Sequence, residues 1–293
     1  MHPAGLFVPL ITPFAPDGSV ALATLESLAH DALTDGASGL VALGTTAEPS
    51  SLTLTERHEV LDLLAAVCRE HAAPLIVGAN HPDELRTFAD RPAVVAALSV
   101  VPPFLRPGDQ GVLAHFRALA AASPVPLVAY HVPYRTAQPL SAPTLQALAQ
   151  IPNVTGIKLA TGAIDQDVIT FLAAPPQDFA ILGGDDVLIS PLLALGAHGG
   201  ILASAHLNTA AFAHLITAWH TGDLETARPL GHRLSARSAS LFAEPNPTVI
   251  KAVLHALGRI PTPDVRLPLL PASPQSTTAA LSLLTPLTTP ASL

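Results

Sequence analysis

Short apolar runs rich in Val, Ile and Leu recur along the chain, each followed by a longer segment whose apolar positions return every three to four residues. The runs fall at 6–11, 39–43, 74–77, 94–101, 126–130, 154–158, 179–182 and 200–203, and each predicts a β-strand. They are continuous rather than alternating, so both sheet faces are buried and the strands run parallel. Helices are predicted over 21–34, 54–71, 110–122, 142–150 and 187–195, many preceded by Asp, Ser or Thr as candidate N-caps.

Eight such units in roughly 200 residues fit an α/β chain of the (β/α)8 TIM-barrel type. An open doubly wound sheet is set aside because no Gly-rich nucleotide fingerprint follows the first strand. Beyond the eighth strand, helical periodicity continues over 209–221, 224–241 and 248–257, more than one barrel helix requires. The expected division is a catalytic barrel over 1–222 and an all-helical C-terminal extension over 223–293, packed on the barrel or on a neighbouring subunit. From Pro271 onward Ser, Thr and Pro dominate, and this segment is expected to fray apart from a short helix at 279–284.

Composition narrows the function classes. Of the 293 residues 49% are hydrophobic and 12% charged, against a usual charged share of about a quarter, which excludes disordered and coiled-coil chains. The net charge of −8 argues against nucleic acid and against an anionic membrane surface as partners. Cys68 is the single cysteine, lies in an apolar helical run and is expected to be a buried structural thiol. With no internal disulfide to form, the cytoplasm is the expected compartment. The first residues lack a basic n-region, and no stretch approaches about 18 uninterrupted apolar residues, so neither secretion nor membrane spanning is expected.

In a barrel of this kind reactive groups gather where strands end and loops leave. The second run ends in Gly44-Thr45-Thr46, the fifth in Tyr130 and the sixth in Lys158. The chain has two lysines, and Lys158 terminates VTGIK, a run bound for the barrel interior. Read alone, it fits a buried salt bridge or a solvated strand-end amine as well as a catalytic one. Desolvation would lower its pKa and make it nucleophilic toward a ketone, the entry to Schiff-base catalysis. Lys251, the other, is expected to cover apolar surface with its stem while its ammonium reaches water. Tyr130 alone fits a core tyrosine with a satisfied hydroxyl, and Arg135 alone a loop ion pair. Together with Lys158 they form a different set: a phenol to move protons, Thr45 and Thr46 to hold a carboxylate, and a guanidinium fork for a second acid.

The strings GTTAEPSSLT at Gly44, YHVPYRTA at Tyr130, GIKLATG at Gly156, GGDD at Gly183, ALGAHGGI at Ala194 and LFAEPNPTVIKAVL at Leu241 occur in order over nearly the whole chain. In them the chain resembles the dihydrodipicolinate synthase and N-acetylneuraminate lyase superfamily of class I aldolase-type barrels. The resemblance implies that Lys158 forms the imine with pyruvate, that Tyr130 is the proton-transferring phenol and that Thr46 is the relay hydroxyl. It also implies that Thr45 and Thr46 bind the pyruvate carboxylate, that Gly184 and Ile201 line the pocket, and that Arg135 holds the aldehyde substrate at the entrance, a feature of synthases. On this reading pyruvate condenses with aspartate semialdehyde, no metal or organic cofactor is needed because the imine itself is the electron sink, and the protein is a homodimer or homotetramer.

Departures from the family pattern qualify these roles. Phe104 stands where synthases carry a tyrosine lent by the dimer partner to the relay, and phenylalanine passes no proton. Tyr134, the only other tyrosine, is the candidate replacement. His131 replaces the commoner asparagine, Leu159 an acid, and Ala47 a glycine, and the third helix is trimmed. Pro49, Leu54 and Arg57 do not match the lysine-inhibition site of synthases, so feedback by lysine is not expected. The rival functions are a related 2-oxo acid aldolase acting on a 2-keto-3-deoxy-sugar acid, a metal-dependent aldolase built on Asp185, Asp186 and the histidines, and a barrel that binds a keto acid without catalysis. His198, His206 and His214 form no recognised ligand spacing, which disfavours the metal.

Overall fold

Side chains two apart on a strand share a face, and the apolar runs use both. Phe7, Val41, Ile76, Val128, Leu182 and Ile201 fill the barrel axis as one cluster, while neighbours such as Leu6, Leu40, Leu75, Leu127 and Ile157 turn outward to the helices. The computed structural model describes residues 3–284. Its strands are β1 (Gly5–Pro9), β2 (Gly39–Ala42), β3 (Leu75–Gly78), β4 (Val94–Val100), β5 (Leu127–His131), β6 (Val154–Leu159), β7 (Ala180–Gly183) and β8 (Gly199–Ile201). All are parallel, and they close in sequence order, with β8 pairing back onto β1.

The connecting helices are α1 (Leu22–Thr34), α2 (Leu54–Glu70), α3 (Pro82–Arg86), α4 (Gly108–Ala122), α5 (Pro133–Thr136), α6 (Ala142–Ala149), α7 (Gln166–Ala173), α8 (Ile189–Ala194) and α9 (Ala205–Thr221). Local chemistry sets several starts. Thr53 and Glu56 form a reciprocal capping box at α2, and the Asp165 carboxylate accepts from the Val168 amide at α7. α5 escapes the sequence pattern because four residues are too few to display a helical period, and α7 was not among the predicted helices. Cys68 is fully buried on the inner face of α2, and burial pushes its thiol up to about 12.

Beyond the barrel follow α10 (Leu224–Leu241), α11 (Thr248–Ala256) and α12 (Pro274–Ser282). α10 lends Leu230 and Leu234 to the outer barrel cluster, and α11 builds a further cluster with Ile11 and Leu28. In the segment from Pro271, where a short helix was expected at 279–284 and fraying elsewhere, the helix starts earlier, at Pro274, and the part beyond 284 lies outside the described residues. Ser273 caps α12 through the Ser276 amide, and Ser273 is itself held by the Glu244 carboxylate at 2.6 Å.

Lys251 also departs from expectation. Its ammonium does not reach water: the residue is 0% exposed, and Nζ donates to the Thr12 carbonyl and to Glu48 Oε1, both at 2.9 Å, while standing 4.0 Å from the Phe14 ring centroid. α11 buries nearly its whole circumference, so a charge on it survives only paired. The pair fastens the C-terminal helices to the turn after β2, because Glu48 directly follows the 3₁₀ turn Thr45–Ala47. The other Glu48 oxygen accepts from the Arg266 amide at 2.8 Å, and Thr12 Oγ1 donates to the Ala47 carbonyl at 2.8 Å.

Candidate active site

Tyr130 and Lys158 are register partners on β5 and β6. Their outward neighbours Ala129, Ile157 and Leu159 belong to the helix-facing layer, so alternation turns Tyr130 and Lys158 to the barrel axis. The Lys158 ammonium lies 4.3 Å from the Tyr130 ring centroid. Among the described residues it joins no ion pair, in contrast to Lys251. Its stem runs so close to Gly184 that a Cβ there would sit 2.5 Å from Lys158 Cε, so any side chain at 184 would displace the lysine stem.

Around this pair lies a cavity of about 20 Å³, room for about one water. Thr45, Thr46, Gly184 and Ile201 form its floor and walls, and Arg135, itself exposed, stands with Tyr134 at its mouth. A short turn leaves its first amides without internal acceptors, so the Thr45–Ala47 turn offers backbone N–H groups beside two hydroxyls. That set suits a carboxylate.

Desolvation draws the Lys158 ammonium below the ordinary lysine value of 10.5, opposed by the Asp186 and Asp185 carboxylates. Burial in turn raises Asp186, which is only 2% exposed and accepts from the Ser204 amide at 2.6 Å. Burial also holds the Tyr130 phenol above its usual range, with Arg135 and a hydrogen bond with the Thr45 side chain pulling it back. A lysine close to neutrality beside a protonated phenol is equipped to add to a ketone and to manage the protons of dehydration.

Most sequence-selected residues thus converge. The Thr45 side chain lies beside the Tyr130 phenol, and Thr46 Oγ1 accepts from Asn246 Nδ2 at 2.9 Å. Phe104 is 89% exposed, with φ at +67°, and does not line this chain's cavity. Tyr134 does line it, beside Arg135. His131 faces the helix layer, where burial pushes its imidazole down to about 4, so this departure lies off the reacting cavity. His206 and His198 use ring nitrogens to accept from the Ile11 and Ile181 amides, at 3.1 and 3.0 Å, which commits them to the fold.

Sequence reasoning missed Asn246 and gave Asp186 only a metal-binding reading. The signal for Asn246 was an amide between two prolines in LFAEPNPTVIKAVL, a rigid loop placing one polar side chain.

A family model described as the dihydrodipicolinate synthetase family matches residues 2–286. The 4-hydroxy-tetrahydrodipicolinate synthase of Aromatoleum aromaticum is 37% identical over 280 residues, covering 93% of this chain and 94% of the relative. The enzyme of the same name from Neisseria meningitidis serogroup B is 36% identical, with 91% and 92% covered. Among solved structures, dihydrodipicolinate synthase from Thermotoga maritima superposes with a TM-score of 0.91 at 27% identity, over 97% of this chain and 98% of that one. The chloride-inhibited synthase from Acinetobacter baumannii, complexed with pyruvate, gives 0.89 at 32% identity, over 96% and 97%.

Proposed function

Because this chain belongs to the dihydrodipicolinate synthetase family and is a Schiff-base lyase of it, we propose that it condenses pyruvate with aspartate semialdehyde to give 4-hydroxy-tetrahydrodipicolinate. The observation that carries this reading is the Lys158 ammonium over the Tyr130 ring, unpaired and walled by Thr45, Thr46 and Gly184.

The neutral amine adds to the keto carbon of pyruvate while the turn at Thr45 and Thr46 holds the carboxylate. Tyr130 donates to the carbinolamine oxygen, water leaves, and the imine of Lys158 forms. Loss of a methyl proton gives the enamine, whose carbon attacks the aldehyde carbon. Arg135 at the mouth holds the aldehyde's carboxylate. The amino group of that substrate then adds to the imine carbon, closing the ring and releasing Lys158. In the hydroxyl relay Thr45 stands next to Tyr130, and Tyr134 supplies the outer phenol that Phe104 does not.

The assembly we propose is a homo-oligomer, because Phe104 and Leu105 are 89% and 81% exposed on one loop, an apolar pair that a second copy would cover. Among the described residues no helix is long and apolar enough to cross a membrane, and the lone thiol agrees with the cytoplasm as the working compartment.

Borohydride reduction with pyruvate, followed by peptide mass mapping, tests the imine. The adduct is expected on the peptide holding Lys158 and is lost in Lys158→Ala. A screen of aldehydes then tests the second substrate, with turnover expected for aspartate semialdehyde; a preference for glyceraldehyde-type acceptors would transfer the protein to the sugar-acid aldolases.

A further inference from the structure

We propose that Asn246 is a positioning residue for the reaction: its side-chain amide orients the Thr46 hydroxyl so that the hydroxyl proton faces the carboxylate of the keto acid. The inference rests on the reading above and deepens it.

Thr46 is 3% exposed, and its Oγ1 accepts from Asn246 Nδ2 at 2.9 Å across 200 residues of sequence. A hydroxyl has one proton and two lone pairs. Once a lone pair is occupied by Asn246, the proton is directed elsewhere, and among the described residues no protein acceptor takes it. Both side chains line the cavity containing Lys158, so the natural acceptor is an anionic group bound there. An aspartate at position 246 would accept from Thr46 instead, turning the hydroxyl away and adding a like charge.

Two features mark Asn246 as placed for this task. It sits between Pro245 and Pro247 in a turn closed by the Thr248 amide on the Pro245 carbonyl at 2.9 Å, and the helix that follows is anchored to Thr12 and Glu48 through Lys251. The distance between Asn246 and Thr46 is therefore fixed from both ends. Its Oδ1 is buried and unpartnered among the described residues, a cost that packing alone does not explain.

The test is steady-state kinetics on Asn246→Ala, Asn246→Asp, Thr46→Val and the Asn246→Ala/Thr46→Val double variant. Asn246→Ala is expected to raise the KM for pyruvate about tenfold, with kcat held within about threefold and the aldehyde KM unchanged. Asn246→Asp, nearly isosteric, is expected to raise it further, and it keeps the test alive if the alanine variant folds poorly. In the Thr46→Val background, Asn246→Ala should cost nothing more. Multiplicative effects in the double variant, or a fall in kcat at unchanged pyruvate KM, would overturn the proposal. Failure of borohydride to trap pyruvate in the unaltered protein would sink the Schiff-base reading itself, and this inference with it.

Discussion

Asp186 and Lys158 line the same cavity from neighbouring strand ends, both almost completely buried, yet no ion pair joins them. The carboxylate favours the charged amine, while desolvation favours the neutral one. The balance sets how readily the lysine attacks a ketone near neutral pH.

The first prediction follows from that sign. Removing the Asp186 charge takes away an attraction that raises the Lys158 pKa, so in Asp186→Asn the pH midpoint for borohydride trapping of pyruvate should move toward acid by about one pH unit. Asp185 and Arg135, the other charges acting on Lys158, are untouched by the change. A purely structural lesion would lower the rate at every pH and leave the midpoint in place; that outcome, or an alkaline shift, would refute the coupling.

The hydroxyl groups should separate kinetically. Thr45→Val interrupts the partner of Tyr130 and is expected to lower kcat by about 10²-fold, the usual scale for one proton-transfer group, as is Tyr130→Phe. Tyr134→Phe should also lower kcat if its phenol stands in for the residue that Phe104 cannot be. Unchanged turnover in Tyr134→Phe would remove it from the relay.

The Glu48–Lys251 pair gives a stability test. Glu48→Ala leaves a fully buried ammonium without its counter-charge and is expected to cost about 3–5 kcal/mol in denaturant unfolding. Lys251→Met together with Glu48→Gln should cost much less. Comparable losses in the two variants would contradict a pairing role.

Regulation offers a simple assay. Pro49, Leu54 and Arg57 line a cleft of about 600 Å³ beside α2 and α3. All three depart in identity from the lysine site of synthases. Initial rates should be unaffected by millimolar lysine, and strong inhibition would show that the cleft binds it by other contacts.

The eight strands were legible because each is buried on both faces and therefore spelled in an unbroken apolar run, with Lys158 conspicuous at the end of one. The four-residue helix at 133–136 was not, being too short to show a period. Lys251 was misjudged because helical spacing names a face without saying what covers it, and here Phe14, Thr12 and Glu48 do. Asn246 was missed for a related reason: the Pro-Asn-Pro string marks a rigid polar position, but its partner lies 200 residues away, which no local pattern encodes.

With both lysines enclosed, at 6% and 0% exposure, the folded chain presents no accessible lysine amine to acylating reagents. Immobilisation or dye labelling through lysine will therefore report opening of the fold rather than its surface. Slow acylation at Lys251 would time the release of the C-terminal helices.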